Sequence, residues 1–258
     1  GVRRAALISL SNLSDQRMAH AKSGAWWETN PEFALANNSV AYTEKPDGET
    51  FMREWLALVE SKSGERGVFN RQAAQKHASL SGRRDPNHTF GTNPCAEISL
   101  RDGQFCNLSE VVIRSEDTFK SLAEKVRVAS IIGTLQATLT DFKYLGDHWR
   151  KNTEEEALLG VSLTGIMDCD LTNTDSDQLA EVLYKLKKIA IDTNAEWAAR
   201  LNIKPSAAVT TVKPSGTVSQ LVDSASGIHP RYSEYYIRTV RADVNDPLAK
   251  MMSAAGFP

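Results

Sequence analysis

The chain has 258 residues, 41% hydrophobic and 24% charged, with a formal net charge of −2 at pH 7. This is ordinary globular composition with ample material for a buried core. It lacks the basic surplus of a dedicated nucleic-acid binder and any apolar run near the roughly 20 residues that span a bilayer. Nothing reads as a secretory signal, and three cysteines, an odd number, suit a reducing cytosol better than a disulfide scaffold.

The sequence opens Gly1-Val2-Arg3-Arg4 and closes Gly256-Phe257-Pro258, and both ends read as internal to a longer polypeptide. With no repeat or low-complexity linker, residues 1–258 are expected to form one α/β domain, incomplete at both ends. A strand is predicted over 5–10. Phe51, Trp55, Leu58 and Val59 stand at helical spacing and predict an amphipathic helix over 50–60. Residues 64–69 read as a glycine-bounded turn running into a strand. Phe119, Leu122, Val126 and Ala129 share one face and predict a long helix over 117 to 144.

Residues 153–167 admit two readings. Thr153 with Glu156 fits a capping box that would open a helix, yet residues 159–165 alternate like a strand with glycines at points of close approach. The strand is the favoured reading, and Glu154-Glu155-Glu156 reads as solvated surface. Asp175 and Gln178 fit a capping box for a helix over 175–201, in which Leu179, Val182, Leu183, Leu186, Ile189 and Trp197 form one core stripe. Pro205 follows its end.

Two motifs carry chemistry. The first is Thr92-Asn93-Pro94-Cys95-Ala96-Glu97, with Cys106 eleven residues beyond Cys95. In an extended segment, Asn93, Cys95 and Glu97 project to one side. That offers one small molecule an amide, a thiol and a carboxylate, and a second thiol adds a two-electron disulfide step. The bland alternative is a turn begun by Asn-Pro with an inert, buried cysteine. The spacing of Cys95 and Cys106 and the scattered His20, His77, His88, His148 and His229 do not fit a zinc site, so no metal ligands are assigned.

In the second motif, residues 207–212 read as a buried strand leading into Lys213-Pro214-Ser215-Gly216-Thr217-Val218-Ser219. A strand passing through Ser-Gly-Thr into a helix start turns several backbone N–H groups one way, which makes an anion site. Gly216 lets the backbone approach a phosphate, and Ser215 and Thr217 add hydroxyl donors. This is not a Walker loop, because the glycine spacing is wrong and the lysine precedes the loop. A plain capped turn is the alternative. Beyond it, Ser226-Gly227-Ile228-His229-Pro230-Arg231-Tyr232 and Tyr235-Tyr236-Ile237-Arg238 suit either a nucleotide pocket or a structured loop with a solvated Arg.

In combination these segments resemble the ribonucleotide reductases, and within them the adenosylcobalamin-dependent (class II), monomeric ribonucleoside-triphosphate type. The residues that carry the resemblance are Asn37-Asn38-Ser39, the run from Ser63 to Arg71, Gly82-Arg83-Arg84-Asp85, the run from Phe90 to Leu100, Gln104-Phe105-Cys106-Asn107-Leu108-Ser109-Glu110, and Lys213 to Ser219. The resemblance implies part of a ten-stranded α/β barrel of two five-stranded half-barrels, with Cys95 on a central finger loop.

It also implies roles. Cys95 becomes the thiyl after a 5′-deoxyadenosyl radical takes its hydrogen, Glu97 is the base on the 3′-hydroxyl, and Asn93 orients the ribose. Cys106 is one thiol of the reducing pair, and Pro214, Ser215, Gly216, Thr217, Val218 and Ser219 hold the phosphates. The implied cofactor is adenosylcobalamin. The implied partners are a ribonucleoside triphosphate, a deoxynucleotide effector and thioredoxin or a similar dithiol, in a cytoplasmic monomer without nucleic acid or membrane. In that family the thiol partner of Cys106 comes from the first half-barrel, so the resemblance implies that it lies outside this chain. Cys169 matches no redox position of the family and is expected to be structural. A class I large chain, a glycyl-radical enzyme and a non-catalytic nucleotide-binding domain are the rival readings.

Overall fold

A computed structural model describes residues 7–62, 66–80, 82–237 and 242–257. The strand expected over 5–10 is β1 (Leu7–Ser11), with Ala5 and Ala6 outside the described residues. Two single-turn helices, α1 (Gln16–Ala19) and α2 (Trp26–Thr29), and a 3-10 turn (Pro31–Leu35) lead to β2 (Ala36–Tyr42). Helix α3 (Gly48–Ser61) forms where expected and is capped by Asp47, whose carboxylate accepts from the Thr50 N–H at 2.9 Å. The expected apolar stripe is not a core face: Phe51, Trp55 and Val59 are exposed and Glu54 is the buried residue. Next comes β3 (Gly67–Asn70), and the three strands form a parallel sheet in the order β1-β2-β3. Ser63, Gly64 and Glu65 of the glycine-bounded motif lie outside the described residues.

Helix α4 (Arg71–Leu80) buries Ala74 and Ala78 against Phe90. The chain then forms a short antiparallel hairpin, β4 (Gly91–Thr92) with β5 (Ser99–Leu100), and the Asn-Pro-Cys-Ala-Glu motif lies at its tip.

The second parallel unit pairs β6 (Asn107–Val112) with β7 (Leu159–Thr164), in register from Asn107 opposite Leu159 to Val112 opposite Thr164. Helices α5 (Phe119–Gln136) and α6 (Asp147–Glu156) lie between these strands in sequence. The expected helix over 117 to 144 thus stops early. Thr138 and Thr140 are poor helix formers, the Thr138 hydroxyl turns back onto the Leu135 carbonyl at 2.8 Å, and Leu139 and Tyr144 are exposed, with no core stripe to continue.

Thr153 and Glu156 close a helix rather than open one, because α6 starts at Asp147 and ends where Ala157 turns left-handed (φ 43°). The strand reading of 159–164 is correct. Glu156 is not solvated surface: only 2% exposed, it accepts from Arg84 Nη2 at 2.9 Å, Arg101 Nη2 at 2.9 Å and Gln104 Nε2 at 2.6 Å. Glu154 and Glu155 are exposed as expected.

A 3-10 turn (Ile166–Asp168) leads to α7 (Ser176–Arg200), capped by the Asp175 side chain on the N–H groups of Asp177 and Gln178. The reciprocal half of the predicted box is not made, since the Gln178 side chain accepts from Thr174 instead. The buried seam of α7 runs through Leu186, Ala190, Thr193, Asn194 and Ala198, while Leu183 stands 36% exposed. Small residues let α7 approach α5, so the larger aliphatics flank the seam rather than form it.

Together α5 and α7 cover one face of the sheet with Leu122, Val126, Ala129, Leu186 and Ala190 against Val111, Leu159, Val161 and Val209. Parallel strands covered on both faces are largely buried along their length, and β7 is, with Ser162 and Thr164 buried beside its apolar residues. Asn194 crosses this core, donating to Thr134 Oγ1 (3.0 Å) and Ser206 Oγ (2.9 Å) while Ser206 N–H donates to its carbonyl oxygen (2.9 Å).

Residues 208–211 run alongside β7: Leu159 N–H donates to the Ala208 carbonyl, Val161 N–H to Val209, and Thr211 N–H to Val161. Ala207 and Val209 are buried, but Thr210 and Val212 are exposed, so this expected buried strand is an outer edge. Helices α8 (Thr217–Leu221) and α9 (Pro247–Ala254) complete the elements. No helix among the described residues is long and apolar enough to cross a membrane.

Removing one member of a buried ion cluster strands its partners, at a cost of about 3–5 kcal/mol. We expect Glu156→Gln to lose stability of that order in urea unfolding. Glu154→Gln on the same helix, touching only exposed partners, should lose under about 1 kcal/mol.

Candidate active site

The hairpin tip is not extended, which corrects the one-sided projection expected for Asn93, Cys95 and Glu97. Ala96 takes a left-handed conformation (φ 63°), and its N–H closes a turn on the Asn93 carbonyl at 2.9 Å. Asn93 Oδ1 accepts from the Ile98 N–H at 3.0 Å, and the Thr92 hydroxyl donates to the Ile98 carbonyl at 2.9 Å. From β2, Asn37 donates its side-chain amide to the Pro94 carbonyl. The turn therefore presents Cys95 to the exterior and directs Glu97 inward, where its side chain is 3% exposed. The Asn93 amide nitrogen makes no hydrogen bond to another described residue.

A distant segment, residues 211–213, meets Glu97. Its Oε1 lies 2.7 Å from Lys213 Nζ, and its backbone carbonyl accepts from Thr211 Oγ1 at 2.9 Å. Its Oε2 is buried without a hydrogen-bond partner among the described residues. Cys106 completes the group, and burial, followed by the charge of Glu97, pushes its thiol up to about 12. Gly160 permits the approach: a Cβ there would lie 2.5 Å from Leu108 Cδ2 and 3.3 Å from Cys106 Sγ.

The segment before Cys106 is pinned from below, because Gln104, which bonds Glu156, also accepts from the Arg101 N–H at 2.9 Å. Glu97 further lines a cavity of about 500 Å³ with His77, Val161, Thr210, Thr211 and Val212. That volume lies within the usual range for small-molecule sites.

Within the 214–219 loop, Ser215 is buried and does not present its hydroxyl outward. Its Oγ accepts from the Ser219 N–H at 3.1 Å, and Ser219 Oγ donates to the Gly216 carbonyl at 2.8 Å. Thr217 and Val218 are exposed, and a Cβ at Gly216 would meet no protein atom within 4 Å. The two serines thus shape the loop, while Gly216, Thr217 and Val218 face open space.

The following loop is braced and also solvated: residues 228–237 are exposed, and the Arg231 side chain is half exposed. Arg231 spans Asp168 (3.1 Å) and Asp223 (2.7 Å), and its hydrogen bond holds the Asp223 carboxyl below the usual carboxylate range. Tyr236 donates its hydroxyl to Gln220 at 2.8 Å on α8. Arg238 lies outside the described residues. Cys169 is buried, with its Sγ 3.7 Å from the Asp117 carbonyl, as a structural cysteine would be. Sequence reading missed Lys213 and Thr211 as partners of Glu97. The lysine was visible at the loop entrance, but nothing local signals a contact 116 positions away.

No family model matches the chain. Two solved ribonucleotide reductases share this fold. The B12-dependent (class II) enzyme gives a TM-score of 0.65 at 22% identity, covering 87% of this chain and 34% of that one. The alpha subunit of the Actinobacillus ureae class Id enzyme gives 0.68 at 14% identity, covering 96% of this chain and 52% of that one.

In sequence, the chain is similar to the adenosylcobalamin-dependent ribonucleoside-triphosphate reductase of Lacticaseibacillus paracasei, 29% identical over 286 residues, and to that of Lactobacillus acidophilus, 28% identical over 288. The alignments cover 99% of this chain and 37% of each relative, so the chain spans little more than a third of the length of these curated proteins. The resemblance carried by the motifs therefore extends along essentially the whole chain, and the fold is α/β.

The thiolate is the form that alkylates, which gives the site a direct readout. At pH 9, iodoacetamide should label exposed Cys95 and leave Cys106 and Cys169 almost untouched, as read by peptide mass spectrometry. Glu97→Gln removes a charge that disfavours the Cys106 thiolate, so Cys106 labelling should rise about threefold or more. An unchanged rate would show that Glu97 does not act on this thiol.

Proposed function

We propose that the chain forms the catalytic part of an adenosylcobalamin-dependent ribonucleoside-triphosphate reductase, which makes 2′-deoxyribonucleotides for DNA synthesis. The observation that supports this best is Glu97, buried at the base of the hairpin tip that carries Cys95. One of its oxygens is held by Lys213 and the other is unpartnered among the described residues, and the Cys106 thiol is close enough to feel its charge. A 2′-hydroxyl leaves a ribose with difficulty, and a radical at C3′ with the 3′-hydroxyl deprotonated eases its departure. That chemistry needs a base for the 3′-hydroxyl and an acid for the 2′-hydroxyl in one place.

In this reading a thiyl on Cys95 takes the 3′-hydrogen and later returns it. Asn93, whose amide nitrogen has no partner among the described residues, orients the ribose. Glu97 accepts the 3′-hydroxyl proton, and Cys106 protonates the departing 2′-hydroxyl. Cys106 and a second thiol from the remainder of the longer protein supply two electrons and end as a disulfide. The sum is ribonucleotide plus dithiol giving deoxyribonucleotide, water and disulfide.

Phosphates would be received by the backbone of Gly216, Thr217 and Val218, with Pro214, Ser215 and Ser219 shaping the loop. Adenosylcobalamin, when bound, supplies the one-electron oxidising equivalent to Cys95. The exposed thiol at the hairpin tip is open to a large group lying across it.

The same reading makes residues 1–258 one domain, whose parallel strands continue in the longer protein as a ten-stranded barrel around the Cys95 loop. It carries a cytoplasmic monomer, thioredoxin or a similar dithiol as reductant, and a deoxynucleotide effector. The likeness to the class Id alpha subunit favours one second reading, a class I chain whose radical comes from a separate subunit.

The full-length protein should convert CTP to dCTP with a dithiol only when adenosylcobalamin is present. Cys95→Ser should abolish the product, and Cys106→Ser should abolish it while leaving nucleotide binding intact. Reduction that depends on a second protein instead of the cofactor would favour the class I reading. A folded, nucleotide-binding protein without product in either case would make the chain a binding domain.

A further inference from the structure

We propose that Lys213 is the positioning residue for Glu97: it fixes Oε1 through their ion pair and thereby assigns proton transfer to Oε2. The proposal rests on the reading of Glu97 as the base. Lys213 Nζ stands 2.7 Å from Oε1, with the carboxylate side chain 3% exposed and the lysine 30%. The other oxygen is buried and unpartnered among the described residues. An unmet buried acceptor is costly, so Oε2 gains from any hydroxyl donor that reaches it.

The lysine is itself held firmly. Its N–H donates to Ser162 Oγ on β7 at 2.9 Å. Its carbonyl is covered by Gly227 (φ 56°), where a Cβ would lie 2.8 Å from that oxygen. Two residues earlier on the same edge, Thr211 holds the Glu97 carbonyl. Side chain and backbone of Glu97 are therefore gripped by one short stretch, whose position follows from its hydrogen bonds to β7. The competing role for Lys213 is phosphate binding, since it directly precedes the 214–219 loop.

The two roles separate in the full-length enzyme with Lys213→Met and Lys213→Arg. A positioning role predicts that Lys213→Met lowers kcat about 100-fold or more while KM for the ribonucleotide stays within about threefold. Lys213→Arg, which keeps the charge, should recover to within about tenfold of the wild type. The substrate-free rate of Cys106 alkylation gives a second readout. The Lys213 charge favours the Cys106 thiolate, so Lys213→Met should slow labelling and Lys213→Arg should not.

A raised KM at unchanged kcat would overturn the proposal in favour of phosphate binding, and unchanged kinetics would make the ion pair idle. Absence of wild-type turnover would instead remove the enzymatic reading, and equal alkylation rates in wild type and Lys213→Met would then overturn the Lys213 assignment by itself. Should Lys213→Met fail to fold, Lys213→Gln carries the same comparison.

Discussion

The candidate site depends on one parallel seam, the hydrogen bonds by which residues 208–211 run alongside β7. This seam sets Thr211 and Lys213 beneath the hairpin tip, where they take the backbone carbonyl and one carboxylate oxygen of Glu97. The seam is itself anchored in the core, because Val209 packs with Val161 under α5 and α7 and Asn194 fixes Ser206 at its start. Moving the edge by one residue would exchange the sheet faces of Thr211 and Val212 and break the contact with Glu97. The geometry of the carboxylate is thus inherited from sheet register rather than from the loop that carries it.

A second constraint acts from below. Glu156 collects Arg84, Arg101 and Gln104 at the buried end of α6, which ties the chain on both sides of the hairpin to one point. Arg84 and Lys213 each favour the Cys106 thiolate, yet burial and Glu97 outweigh them and the thiol stays protonated. A thiol carries its proton at neutral pH in any case, and the buried setting beside a carboxylate keeps it there. The arrangement separates an inward acid–base pair, Cys106 and Glu97, from an outward thiol, Cys95, that an external oxidant can reach.

Much of the scaffold was legible locally. The strand β7, the Asp175 cap and the existence of helices α3 and α7 are local signals, and the structure carries each, although the faces that α3 and α7 bury are not the predicted stripes. The motif residues were legible as a set, and their resemblance extends along the chain. What failed did so for tertiary reasons. Glu156 has the same local sequence as its exposed neighbours and is buried only because two distant arginines meet it. Alternation at Asn93, Cys95 and Glu97 assumed a strand, and the left-handed Ala96 folds the segment into a turn. Ser215 read as a ligand donor, but its hydroxyl caps the short helix that follows. The Lys213–Glu97 contact had no local trace at all.

The central claim is that Cys95, Glu97 and Cys106 act on one ribose, beginning at its 3′-carbon. Turnover of ribonucleoside triphosphate carrying deuterium at C3′, compared with the unlabelled compound in the full-length protein, tests it most directly. The account expects the deuterated substrate to react more slowly and its product to keep the label at C3′, because the hydrogen taken by Cys95 is given back. Equal rates together with complete loss of the label to solvent would contradict it.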